Sequence, residues 1–162
     1  MKLSGFDQTA MLQKQTAEDS WLCHVRFTEW CFQWSDAITR RTGRLTKTTR
    51  IMDLRSMSFR SMNRGFIARD GANAKATEDA YPQLLMGVYP CFPPTWIQAF
   101  WRLARPLMPK RFVEKVDIIS PLTNPSDAKR LLRAISHADL PAAFGGELAQ
   151  WPPPLGLDKA VF

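Results

Sequence analysis

Histidine and cysteine are scarce in this chain, two and three respectively in 162 residues. They are too few and too poorly spaced for a zinc site. Cys23, Cys31 and Cys91 form an odd set without a C-x-x-C pair, which points to reduced thiols in a cytosolic protein rather than a disulfide framework. The opening Met1-Lys2-Leu3-Ser4 lacks the apolar stretch of a secretory leader. Lys2 also stands where myristoylation needs glycine. Neither G-x-x-x-x-G-K-[ST] nor G-x-G-x-x-G occurs, and nothing marks a Ser–His–Asp set around His24 or His137. The chain does not read as an enzyme.

An uninterrupted apolar span is missing too. The longest interval without charge runs from Ala80 to Trp101, 22 residues, enough in length for a bilayer. Pro90, Pro93 and Pro94 break any helix through it, each removing a donor and fixing φ. The interval reads instead as a short strand at Gly87-Val88-Tyr89 and a helix from Thr95 to Leu107, capped by Thr95.

That helix carries an excess of apolar surface. Trp96, Phe100, Leu103 and Leu107 lie on one line, with Ile97, Trp101 and Ala104 beside it. Gln98, Arg102 and Arg105 fill the narrow remainder. The apolar arc is about 200°, nearly twice the stripe that packing on a single core requires. Two readings fit: a helix buried on both sides, or one that meets a core on one side and a ligand cavity, bilayer or partner on the other.

Basic residues number 22 against 15 acidic, a net charge of +7. The excess sits between Arg40 and Arg69, where nine basic residues face only Asp53. Such a cluster suits a phospholipid surface, a phosphorylated ligand or nucleic acid. No nucleic-acid module accompanies it, and the aromatics gather on apolar faces rather than among the arginines; no nucleic-acid partner is expected.

In order along the chain, Thr16 and Asp19 form a capping box that opens a helix ending near Arg41. Cys23, Phe27, Trp30, Cys31, Trp34 and Ile38 recur at helical spacing and predict its buried face. His24 lies beside that face as an ordinary packed or surface residue. Thr48 to Leu54 reads as a strand with Arg50 alternating among apolar neighbours, at a sheet edge or lining a polar part of a cavity. Ser58 to Ala80 predicts a weakly patterned helix. Lys110 to Lys115 predicts a basic turn, Val116 to Ile119 a second apolar strand, and Asn124-Pro125 the start of a further helix. Strands alternating with helices argue an α/β fold with at least part of the sheet parallel. After Trp151 three prolines predict an extended tail, residues 151–162.

Several stretches in register resemble one family. They are Thr16-Ala-Glu-Asp, Arg40-Arg-Thr-Gly-Arg, Arg50-Ile-Met-Asp-Leu with Ser58-Phe59, Tyr81-Pro82, Gly87-Val-Tyr, and Pro94 with its helix to Arg105-Pro106-Leu107. Lys115 with the strand after it, and Asp139-Leu-Pro with Phe144-Gly145-Gly146, complete the series. Over about 130 residues the order resembles the CRAL-TRIO lipid-binding domain of the yeast phosphatidylinositol-transfer type. The resemblance implies an α/β fold whose mixed or parallel sheet floors a hydrophobic pocket closed by a gate helix, here Thr95 to Leu107. It implies a lipid-binding domain over residues 6–150, incomplete at its front, where the family has a helical region and a further strand. The implied function is binding a single phospholipid, or another small hydrophobic ligand, and exchanging it at membranes.

The resemblance also assigns residues. Lys115 stands where the family places a lysine on the inositol phosphate, and Thr48 where a hydroxyl contacts the choline lipid's phosphate. Arg50 replaces a second strand hydroxyl. The acidic–basic pair expected after Tyr81-Pro82 is Gln83-Leu84, which removes a charge and a salt-bridge partner. Pro90 interrupts a strand the family leaves unbroken. Trp96, Ile97, Phe100, Trp101 and Leu103 are expected to contact acyl chains or the bilayer. No cofactor is expected beyond the lipid ligand, and the location implied is cytoplasmic and peripherally membrane-associated. The competing reading is a protein-interaction module that has lost transfer activity, its apolar face filled by another protein.

Overall fold

The computed structural model describes residues 8–55, 57–108 and 110–149; the expected proline-rich tail lies outside them. Its helices are α1 (Gln8–Lys14), α2 (Ala17–Thr42), α3 (Arg64–Ala80), α4 (Ile97–Ala104), α5 (Lys110–Val113) and α6 (Pro125–Ala134). Strands β1 (Thr48–Asp53) and β2 (Leu85–Cys91) pair in parallel, Ile51 opposite Tyr89 and Asp53 opposite Cys91. The fold is α/β.

Val116 to Ile119, expected as a strand, joins β2 through two separate bridges, at Val88–Val116 and Cys91–Ile119. The reason is Pro90. Val88 N donates to Lys115 O (2.8 Å) and Asp117 N to Val88 O (2.9 Å). Beyond the proline, Ile119 N donates to Pro90 O and Phe92 N to Ile119 O, both at 3.0 Å. The rung that position 90 would donate is absent because proline has no N–H. Pro90 therefore thins the ladder without ending β2, which continues through it.

One sheet face carries the core. Ile51, Cys91 and Ile119 pack with Leu131 of α6 and with Leu140 and Phe144, all buried. Burial, followed by the charge of Asp53, pushes the Cys91 thiol up to about 12, so it behaves as a small apolar group. The segment 116–120 is fixed to α6 by ions: Arg130 bridges Asp117 (3.0 Å) and Asp127 (2.7 Å), and Asp127 accepts from Ser120 N (2.8 Å). Asn124 caps α6 with Pro125 at its first position, as expected.

Helix α2 opens on the predicted capping box, with Thr16 Oγ1 accepting from Asp19 N (3.0 Å) and Asp19 Oδ2 accepting from Thr16 N (3.1 Å). Gly43 closes it at φ 67°, a left-handed geometry that suits glycine. Its inward face meets the predicted one only in part, with Trp30, Cys31 and Ile38 half-buried. Thr28 and Ser35 are buried, whereas Phe27 and Trp34 remain 52% and 61% exposed and Cys23 is exposed. The cause is the neighbour. Helix α3 turns a polar face toward α2, and Asn73 Nδ2 donates to Ser20 Oγ (3.3 Å). The Thr77 hydroxyl donates to the helix carbonyls of Asn73 and Ala74, leaving its oxygen to accept from His24 Nε2 (3.2 Å). Hydrogen-bonded polar groups hold this seam, so apolar periodicity placed the buried face off-centre.

Helix α4 is shorter than the predicted 95–107. It starts at Ile97 without a side-chain cap, so Thr95 does not cap it, and it tightens to a 3₁₀ turn at Arg105–Leu107. Pro106 explains the end: lacking an N–H and crowding the preceding turn, it cannot continue an α-helix.

Candidate functional site

The three parallel segments begin together at one end of the sheet. Thr48 opens β1, Leu85 opens β2, and Lys115 immediately precedes Val116. On the face opposite the core, α2 and α3 approach but do not cover this end, and a cleft forms. Thr48, Arg50, Gln83 and Lys115 all line it, with His24, Thr28, Thr77, Glu78, Tyr81 and Phe112. An adjoining open recess of about 320 Å³ is bounded by Glu78, Pro82, Gln83, Arg111, Glu114 and Lys115. That volume is at the small end for ligand sites, and the cleft that Thr48 and Arg50 line encloses only about 60 Å³.

Each predicted headgroup residue has a definite setting. Lys115 is only 20% exposed, with its Nζ 3.5 Å from Glu78 Oε1. The salt-bridge partner missing at position 83 is thus supplied by α3, a compensation the sequence reading did not foresee. Thr48 Oγ1 donates to Leu84 O (3.2 Å), which occupies its proton and leaves oxygen lone pairs. Gln83 is exposed with φ 71°, and its Oε1 accepts from Lys47 Nζ (3.3 Å). Arg50 is exposed on the sheet face, lining the cleft rather than the core. Burial, then the Arg50 charge, pushes the His24 imidazole down. The neutral ring is consistent with donation to Thr77 rather than with binding an anion.

Residues missed by the sequence reading include Glu78, Thr77 and Tyr81. Tyr81 donates to the Glu29 carboxylate, which together with Gln33 holds that group below the usual carboxylate range. The signal for Glu78 was available in retrospect: a half-buried lysine without a carboxylate at 83 requires one nearby, and α3 ends in Glu78-Asp79 just before Tyr81.

The predicted gate residues lie toward the other end. β2 runs seven residues from Leu85 to Cys91, about 20 Å of strand, before the chain reaches α4. Ile97 is buried, Trp96, Phe100 and Trp101 are partly exposed, and Leu103 is 77% exposed. Trp96 contacts Phe100 edge-on (6.2 Å) and also Phe59 (5.5 Å), itself 63% exposed. The wide apolar arc is therefore partly in solvent, and the reading of a helix buried on both sides is set aside. No helix among the described residues is long and apolar enough to cross a membrane. No group of three or more His, Cys, Asp or Glu among them could hold a metal ion.

A family model for the CRAL/TRIO domain matches residues 3–146. The chain belongs to the CRAL/TRIO domain family. This places it among lipid-binding and lipid-transfer domains. A solved structure titled "Crystal structure of Sfh5" is similar, with 17% identity and a TM-score of 0.42, covering 48% of this chain and 28% of that one. The chain thus matches less than a third of that structure's length. No curated protein matches it. Within this CRAL/TRIO chain the order Lys115, Phe144, Gly145 and Gly146 falls inside the matched region.

Proposed function

We propose that this CRAL/TRIO chain, over residues 6–150, binds one phospholipid with an anionic head and exchanges or presents it at membranes as a cytoplasmic, peripheral protein. The observation that carries the reading is the convergence of Lys115, Thr48 and Arg50 on one cleft at the start of the sheet. Lys115 and Arg50 would supply charge to a phosphate, and guanidinium can hold two of its oxygens. Thr48 and Gln83 would add polar contacts. Gln83 carries no charge and so sets no carboxylate of its own against an anionic head at that position. The acyl chains would run along the sheet toward α4, whose Trp96, Ile97, Phe100, Trp101 and Leu103 would meet them or the bilayer during exchange. No cofactor takes part in this reading, and the lipid is the ligand.

The test is mass spectrometry of lipids extracted from protein purified out of eukaryotic cells. One phospholipid near equimolar ratio is the expected result. A folded protein free of lipid would overturn it in favour of the interaction module, a reading supported by the exposed Phe59–Trp96–Phe100 cluster.

The gate assignment has its own expected outcome. Phe100 is partly exposed and makes its ring contact within the α4 cluster, so Phe100→Asp should keep the far-UV spectrum near wild type. Lipid exchange between vesicles should nonetheless fall to background, because a carboxylate entering either hydrocarbon or an apolar pocket is strongly disfavoured. Unchanged exchange in a vesicle transfer assay would show that α4 is not the gate.

A further inference from the structure

His24 has a place in the cleft that its hydrogen bond to Thr77 does not exhaust. It lines the same cleft as Thr48, Arg50 and Lys115, half-buried on α2. The Thr77 hydroxyl gives its proton to the carbonyls of Asn73 and Ala74, both at 3.0 Å, so toward the imidazole it can only accept. His24 Nε2 is therefore the protonated nitrogen, 3.2 Å from Thr77 Oγ1. Nδ1 keeps its lone pair and has no hydrogen-bond partner among the described residues. A ring fixed in this way can take one further proton, at one known atom, without giving up the bond it has.

The charged groups around the ring decide when it does so. Burial disfavours a positive charge there, Arg50 of β1 adds to that effect, and Asp70 of α3 opposes both. Glu78 lies on α3 as well, but its carboxylate is shared with Lys115 at 3.5 Å. Tyr81, just after α3, donates to Glu29 of α2. The balance keeps the imidazole neutral. A lipid phosphate held by Arg50 and Lys115 changes that balance, because it offsets the guanidinium charge and puts an anion in the ring's own cleft. Thermodynamic reciprocity then requires that a proton on His24 strengthens the hold on the phosphate by the same factor.

We propose, resting on the assignment of the headgroup to this cleft, that His24 is its proton sensor: an anionic head binds together with a proton on Nδ1. The protein then holds such a lipid more tightly at mildly acidic pH and releases it more readily at neutral pH. The added affinity is absent above the titration of the ring in the lipid-bound form and grows as pH falls through it. It is complete below the titration of the lipid-free form. His137, the other histidine, does not line the cleft, and its Nδ1 meets Glu147 at 3.1 Å.

The experiment is calorimetric titration of the full chain with short-chain phosphatidylglycerol and phosphatidylinositol, phosphodiesters whose own charge stays fixed over the range. Short-chain diacylglycerol is the uncharged reference. Affinity for the phosphodiesters should rise about fivefold or more as the pH falls from about 7.5 to about 5.5, and affinity for diacylglycerol should not change. Runs at about pH 6.5 in buffers of unequal ionisation enthalpy should show proton uptake with the phosphodiesters only. In His24→Gln, whose amide can still donate to Thr77, the uptake and the pH dependence should vanish. This variant also separates the imidazole from Glu78, whose protonation would favour an anion too but survives the substitution. Wild type that binds the phosphodiesters equally at every pH, without proton uptake, overturns the proposal and leaves the headgroup assignment standing. So does a folded His24→Gln that keeps the full pH dependence. Failure to bind either phosphodiester at any pH overturns the headgroup assignment itself, and the proposal with it. The proton count on wild type needs no variant, so the test stands even where His24→Gln does not fold.

Discussion

Replacing Gly146 by alanine should destabilise the protein by about 4 kcal/mol or more, placing it among the rare severe single substitutions. A Cβ at this position would stand 1.9 Å from the carbonyl oxygen of Leu140 and 2.5 Å from its carbonyl carbon. Neither partner is free to retreat. Leu140 O accepts from Leu148 N (3.0 Å), Ala142 N donates to Leu148 O (2.9 Å), and Glu147 N donates to His137 O (3.0 Å). Leu140, Pro141 and Phe144 beneath this loop are almost wholly buried, so relieving the clash would pull them from the core. The denaturant midpoint should fall sharply with little change in slope. Gly71→Ala is the contrast, because its Cβ meets nothing within 4 Å in the interior of α3; it should stabilise by about 0.5–1 kcal/mol. A Gly146→Ala variant that melts within about 1 kcal/mol of wild type would mean that the 137–148 loop is not closed as described.

Signals that depend on the backbone were legible in the sequence. The Thr16–Asp19 box, the Gly43 end of α2, the Asn124-Pro125 start of α6 and the strand at Thr48 all appear where local chemistry placed them. Signals that depend on partners were not. The face of α2 was assigned by counting apolar residues, a rule that assumes an apolar neighbour; α3 instead offers Asn73 and Thr77, and hydrogen bonds replace burial as the seam's organising force. The weak expectation for residues 58–80 resolves into a 3₁₀ turn at Phe59–Ser61 and helix α3, joined at Asn63, whose side chain accepts from Gly65 N and Phe66 N. At the site, the sequence pointed to four residues that do line one cleft, yet left Lys115 without a partner. Glu78 was hidden because a helix and a strand meet there only in three dimensions. Pro90 shows the same limit from the other side: its missing donor was legible, but not that pairing would resume one residue later.

Lys115→Ala should lower affinity for an anionic phospholipid by about ten- to a hundredfold, the loss of one charge-assisted contact. The geometry makes a sharper claim than the loss alone. Lys115 Nζ and Glu78 Oε1 stand 3.5 Å apart, both side chains mostly shielded, at 20% and 24% exposure. In Lys115→Ala the Glu78 carboxylate remains at the cleft and repels an incoming phosphate. Removing that charge as well, in Lys115→Ala with Glu78→Gln, should recover part of the affinity. Glu78→Gln alone should leave Lys115 without a competing anion and bind the lipid several-fold more tightly than wild type. The four proteins therefore form a double-mutant cycle in which the effects do not add. Arg50→Ala should cost less than Lys115→Ala, because its exposed charge is already screened by water. The measurement is equilibrium binding of a fluorescent anionic phospholipid, with a neutral lipid of the same chains as reference. If Lys115→Ala binds both lipids as wild type does, the headgroup lies elsewhere and the cleft is not its site. If Lys115→Ala weakens both lipids equally, the lysine supports the fold of the cleft and does not read charge. Weakening confined to the anionic lipid, partly restored by Glu78→Gln, is the outcome expected of a lysine that exchanges an internal carboxylate for a lipid phosphate.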